Sequence, residues 1–216
     1  MNASDRWSTQ GLDDVATELL DWLAGVLSAP MSVGAIGACR SSDGVVLFDA
    51  IRAELGYTPG IEAMRSVLDT HASDQQLAMR LSGSYVRLFE GPGGPATVSL
   101  YESTYAGAMR RLHQHPAAAM EAMLRRCDMA VRAGHGELPD HLSLEAGLLA
   151  TLLRIGDRDA ADELRTRLLE WVPQVAAACA AVDSGGFYRG VLTALHDTLM
   201  ALDESSSIGT CHERSS

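Results

Sequence analysis

Lysine is absent from this chain: all seventeen basic residues are Arg, set against 28 Asp and Glu. The formal charge of −11 argues against a nucleic-acid surface, because such surfaces rest on cations that neutralise phosphates. An acidic surface keeps a protein in solution and attracts a basic partner. No apolar run approaches the ~18 residues that a membrane helix needs, and Met1 to Gln10 holds no apolar core of a signal peptide. Neither membrane insertion nor export is expected, which points to the cytoplasm. Cysteine is sparse: Cys39, Cys127, Cys179 and Cys211 stand far apart with no C-x-x-C pair, so neither a zinc knuckle nor a thioredoxin-like site is encoded and reduced thiols fit best. A Gly-Lys-Ser/Thr phosphate loop and a G-x-S-x-G nucleophile elbow are both missing, which argues against a P-loop nucleotide triphosphatase and a hydrolase of the Ser-His-Asp kind. No period of 20 to 50 residues repeats, so a solenoid is not supported.

What is present favours helices. β-Branched residues are few beside Ala, Leu and Met, and 216 residues suffice for one self-sufficient core. The expected fold is all-α, a single globular bundle of roughly nine or ten helices over 11–203, with disordered segments at 1–10 and 204–216. Leu12, Val15, Leu19, Trp22, Leu23 and Val26 form a 3.6-residue stripe that predicts a first helix from Leu12 to Leu27. The stretch around Gly34 and Gly37 resists assignment. Further helices are predicted for Val45 to Leu55, Ile61 to Thr70 after a turn at Gly56–Gly60, and Ser73, as N-cap, to Phe89. Glu90 to Leu100 holds Gly91, Pro92, Gly93, Gly94 and Pro95 and must be a loop. Helices should follow over Thr104–Gln114, Pro116–Arg132, Asp140 or His141 to Ile155, Asp157–Trp171, Gln174–Val182 beyond a kink or restart at Pro173, and Phe187–Leu202.

Two constellations bear on function. Tyr85, Leu88 and Phe89 share one helical face that ends at the Gly/Pro loop, with Tyr101 and Tyr105 beyond it. The face fits core packing. The loop, poor in side chains, fits either a plain connector or a site where a partner's backbone approaches closely. In the second constellation Asp140, after Pro139, suits an N-cap, with His141 at the first helical position and Glu145 a turn later. His135, His141 and Glu145 could hold a metal and support a metal-dependent hydrolase, but no firm third ligand or second shell is declared. His113 and His115 read as solvated turn residues, and the methionines as core filling.

These segments also carry a resemblance. Tyr85-x-x-Leu88-Phe89-x-Gly91-Pro92-Gly93, Pro95-x-x-x-Ser99-x-Tyr101 and Glu137-x-Pro139-Asp140-His141-Leu142 resemble, in chain order, the signature segments of the TorD/DmsD/NarJ family of molybdoenzyme maturation chaperones. Leu168 to Pro173 and Phe187-Tyr188 sit where that family has a Trp-containing helix and its last aromatic pair. The resemblance runs from about Ser73 to Leu202. It implies an all-helical, non-enzymatic cytoplasmic chaperone that binds the twin-arginine signal peptide or the apo catalytic subunit of one molybdopterin oxidoreductase of the DMSO reductase family. Such a chaperone holds its client until the bis-molybdopterin guanine dinucleotide is loaded and prevents premature export. The site residues it implies are Tyr85, Leu88, Phe89, Gly91, Pro92, Ser99, Tyr101, Glu137, Pro139, Asp140 and His141. It implies no cofactor beyond weak GTP binding, no catalytic or metal residue, and a monomer or domain-swapped dimer. The alternatives are a helical nucleotide- or small-molecule-binding regulator and the metal-dependent hydrolase.

Overall fold

The computed structural model describes residues 3–56, 58–91, 94, 96–106, 115–130 and 136–213, with the backbone alone at 3–10, 12–13 and 203–213. Among the described residues there are nine α-helices, a 3₁₀ turn and no strand: α1 (Ala3–Ser28), α2 (Val33–Arg40), α3 (Ser42–Leu55), α4 (Pro59–Leu68), α5 (Asp74–Phe89), the 3₁₀ turn Glu102–Thr104, α6 (His115–Arg126), α7 (Leu142–Ile155), α8 (Arg158–Val182) and α9 (Phe187–Glu213). The helical backbone of α1 and α9 is described into both terminal segments expected to lack structure.

Local chemistry accounts for most boundaries. At α5, Ser73 Oγ accepts the Gln76 amide while the Gln76 side chain accepts the Ser73 amide, a reciprocal capping box. The unassigned stretch forms α2, because Ser32 caps its start and Ser41 both ends it and caps α3. Pro59 and Gly60, expected in a turn, instead open α4: a proline at the first helical position gives up only an amide with no intrahelical partner. Pro173 neither breaks nor restarts α8, which is one helix across it. The helix after Pro116 stops at Arg126 rather than Arg132, and the chain turns at Asp128 with φ 55°. The helix expected over Thr104–Gln114 falls mostly on residues outside the described set.

Helix α1 packs on α3, α7 and α9, while α8 lies against α7 and α9, and α4 against α9. The core between them is built from Leu19, Leu23, Leu27, Leu149, Leu164, Leu168, Val191 and Leu195, all essentially solvent-free. Burial of this apolar surface drives the collapse. Helices α4 and α9 approach at a glycine pair: a Cβ on Gly60 would lie 2.3 Å from the Ala194 nitrogen, and one on Gly190 would lie 2.8 Å from the Gly60 carbonyl oxygen.

Candidate functional site

The last turn of α5 carries the aromatic face. Tyr85 is buried, donates its hydroxyl to the Leu27 carbonyl oxygen at 3.0 Å, and meets Phe89 and Tyr188 edge-on at 5.2 and 5.7 Å. Burial, then the Glu90 and Glu137 carboxylates, push its phenol up to about 12, so it is a fixed donor at neutral pH. After Phe89 the chain leaves the helix at Glu90, and Gly91 is needed there: a Cβ would lie 2.8 Å from Thr97 Oγ1 and 3.0 Å from the Arg87 carbonyl oxygen. The segment beyond the loop is tied back to α5 by the Val98 amide, which donates to the Leu88 carbonyl oxygen at 2.7 Å.

Ser99 to Thr104 then runs beside the turn before α7. Tyr101 and His141 form an isolated antiparallel bridge, closed by Glu102 N to Asp140 O at 3.0 Å and Leu142 N to Leu100 O at 2.7 Å. The structure corrects the expected cap: His141, not Asp140, is the N-cap of α7, and its Nδ1 accepts the Ser143 amide at 3.2 Å. Asp140 is fully buried, and its Oδ2 takes the Ser103 amide at 3.0 Å and the Ser103 hydroxyl. The carboxylate is drawn to a segment 37 residues away, so it pins the 3₁₀ turn rather than opening the helix.

Between these elements lies a cleft of about 450 Å³ lined by Tyr85, Phe89, Gly91, Ser99, Tyr101, Glu137 and His141, together with Ser28, Glu90, Gly94, Thr97, Leu100 and Thr104. Seven of the eleven residues singled out in the sequence thus share one cavity. Leu88 and Asp140 sit in the protein interior behind it, and half-buried Pro139 belongs to the turn that delivers Asp140. Pro92 lies outside the described residues. The described lining residues include two carboxylates, Glu90 and Glu137, and three aromatic rings, and among them there is neither Arg nor Lys. Such a lining suits a cationic side chain with apolar neighbours. Glu90 was legible, since it stands inside the Leu88 to Gly93 motif. Ser28, at the end of α1, carries no local signal and reaches the cleft only through the packing of α1.

Behind the cleft wall a second polar cluster joins four elements. Arg167 of α8 binds Glu102 through Nε at 2.7 Å and through Nη2, and also donates to the Pro116 carbonyl oxygen at 2.7 Å. Its Nη2 stands 3.7 Å from Oε1 of Glu145, a fully buried side chain whose Oε2 accepts Trp171 Nε1 at 3.3 Å. Burial, reinforced by the Glu102 carboxylate and opposed by Arg167, raises the Glu145 carboxyl well above the ordinary range. His141 and Glu145, considered above as metal ligands, therefore have separate partners, and among the described residues no group of three His, Cys, Asp or Glu converges on a point. His135 is outside the described set. No helix among the described residues is long and apolar enough to cross a membrane.

An acidic, aromatic cleft in an all-helical bundle is a surface fitted for binding. The model of the nitrate reductase delta subunit family matches residues 55–177, and the chain belongs to that family, the one that includes TorD and NarJ. It is similar to the chaperone protein TorD of Photobacterium profundum, 26% identical over 158 residues, covering 65% of this chain and 72% of that one. It is also similar to the chaperone protein TorD of Vibrio atlanticus, 22% identical over 199 residues with coverage of 87% and 92%. The TorD chaperone of Escherichia coli is 25% identical over 192 residues, with coverage of 85% and 90%. The relatives are chaperones, and the chain is a chaperone rather than an enzyme.

Proposed function

We propose that this chain is a cytoplasmic maturation chaperone for one molybdopterin oxidoreductase of the DMSO reductase kind, and that its cleft receives the twin-arginine leader of the apo catalytic subunit. The observation that carries this reading is the lining: Glu90 and Glu137 beside Tyr85, Phe89 and Tyr101, with no basic side chain other than His141 among the described lining residues. A twin-arginine leader offers two guanidinium groups and then an apolar, helix-prone run, so it needs carboxylates next to aromatic surface. Tyr85, Phe89, Gly91, Ser99, Tyr101, Glu137 and His141 would touch the peptide, while Leu88, Pro139 and Asp140 shape the walls. Ordering a flexible leader consumes much of the interaction energy, which suits holding a client until its cofactor is inserted and then releasing it. The nucleotide-regulator reading is weaker, because phosphates would meet Glu90 and Glu137.

Affinity capture from cells grown anaerobically, followed by calorimetric titration with the leader of the recovered subunit, tests the proposal. Glu137→Gln should weaken binding roughly tenfold, as loss of a charge-assisted hydrogen-bonding partner does, and binding should fall as salt rises. Equal binding of a leader whose two arginines are alanines would refute the assignment of the cleft.

A further inference from the structure

The outer face of α5 carries an exposed apolar stripe that leads into the cleft. Met79 is 72% and Val86 45% exposed, on the side of the helix opposite the buried Leu77, Leu81, Tyr85 and Leu88. Gly83 stands between them at steps of four and three residues, itself exposed, with nothing within 4 Å of where a Cβ would be. At the amino end of the stripe, Met79 joins Ala72, Gln76 and Arg80 around a surface hollow of about 380 Å³. At the carboxyl end, the Glu90 amide donates to the Val86 carbonyl oxygen at 3.1 Å. That bond keeps Glu90 in helical register one turn beyond Val86, and Glu90 lines the cleft. Charge changes sign along this line: Glu90 and Glu137 stand at the cleft, whereas exposed Arg87 and Arg80 flank the stripe along one edge.

We propose that this stripe receives the apolar run of the leader, packed as a short helix antiparallel to α5, with its far end seated at the hollow beside Arg80. The inference rests on the cleft being the site that takes the two arginines. Met79 to Glu90 spans roughly 16 Å at the helical rise, which about eleven helical residues cover. Gly83 lets the incoming helix approach α5 closely, while Val86 and Met79 meet its side chains on either side of that crossing. Direction follows from charge. The arginines at the amino end of the run lie beside Glu90 and the carboxyl end of α5, and the unpaired carbonyls at the far end of the run lie beside Arg80, so each helix end meets the complementary sign. Register follows too, because arginines shifted along the stripe would leave the carboxylates and meet Arg87 and Arg80. The surface thus selects a segment with cations at its start and an uncharged apolar helix after them.

The test uses the full chain with methyl-labelled methionine and two synthetic peptides. One carries two adjacent arginines followed by about eleven Leu and Ala residues, the length that spans the stripe; the other ends after the arginines. The Met79 methyl resonance, assigned by its loss in Met79→Ser, should shift with the long peptide and stay in place with the short one. A nitroxide at the carboxyl end of the long peptide should broaden it, and one at the amino end should not. In calorimetry the wild-type chain should bind the long peptide roughly tenfold more tightly than the short one, and Met79→Ser combined with Val86→Ser, both at exposed positions, should erase most of that difference. Equal affinity for the two peptides overturns the α5 surface and leaves the cleft assignment standing. Tighter binding of the long peptide with an unmoved Met79 methyl puts the apolar run elsewhere and overturns the proposal, as does broadening from the amino-end label. Binding of neither peptide overturns both readings.

Discussion

At the scale of single residues, Arg40 shows what a chain without lysine gains from guanidinium groups. From the end of α2 its Nε donates to the Leu68 carbonyl oxygen at 2.6 Å, Nη1 to Ala72 O at 2.8 Å and Asp74 Oδ1 at 2.7 Å, and Nη2 to Thr70 O at 2.9 Å. One planar fork thus gathers the Leu68, Thr70 and Ala72 carbonyls at the connection between α4 and α5, and an ammonium cannot span them. Arg40→Lys should lower stability by about 2 kcal/mol, the range for hydrogen bonds to charged groups, measured as a reduced midpoint in urea with an unchanged slope. The His141 cap shows the complementary lesson. Sequence logic sees Asp after Pro before a helix and assigns Asp140 as the cap, but a carboxylate can be claimed by any donor the fold brings near. Here Ser103 outcompetes the adjacent helix end, and the imidazole of the next residue takes over the capping role. Nothing within the local window announces that exchange.

At the scale of elements, contact geometry separates two glycines that look alike in sequence, both inside or at the edge of helical patterns. Gly190 is wedged against α4, where a Cβ would meet the Gly60 carbonyl oxygen at 2.8 Å and Met64 Cγ at 2.9 Å; Gly83, on the outer face of α5, has nothing within 4 Å of that position. Gly190→Ala should push α9 off α4 and destabilise by about 3 kcal/mol or somewhat less, as overpacking does. Gly83→Ala should stabilise by up to ~1 kcal/mol through helix propensity. Thermal unfolding of both variants beside wild type checks the pair, and equal shifts would contradict the packing of α4 on α9. Element identity was otherwise largely legible, because amphipathic periodicity and caps such as Ser73 are local signals. The stretch holding α2 was not, since its glycines weaken the helical signal and Ser41 both ends one helix and starts the next. The cleft was legible where a motif carries it, from Tyr85 to Gly91 and from Glu137 to His141. Ser28 and the interior placement of Leu88 and Asp140 depend on tertiary packing that no motif spacing encodes.

At the scale of the whole molecule, Arg167 is where the 3₁₀ turn, α6, α7 and α8 meet, through Glu102, the Pro116 carbonyl oxygen and Glu145. Two carboxyls and one guanidinium leave an excess negative charge in an interior site if both acids ionise. The raised Glu145 carboxyl resolves this by keeping its proton, which leaves Glu102 and Arg167 as a matched pair. The sign of the resulting pH dependence follows. The unfolded chain releases the Glu145 proton near the ordinary value of about 4.3, whereas the folded chain retains it, so the folded state binds more protons above that pH. Stability from this group is therefore full below the unfolded value and declines by up to about 1.4 kcal/mol per pH unit as pH rises towards the folded value. Glu145→Gln keeps an acceptor for Trp171 Nε1 and cannot ionise. It should remove this decline, so that unfolding measured at pH 5 and pH 8 gives a smaller difference for the variant than for wild type, with the variant the more stable of the two at pH 8. A wild-type chain whose stability rises from pH 5 to pH 8 as steeply as that of Glu145→Gln would mean that Glu145 is ionised in the fold, and that Arg167 carries both carboxylates.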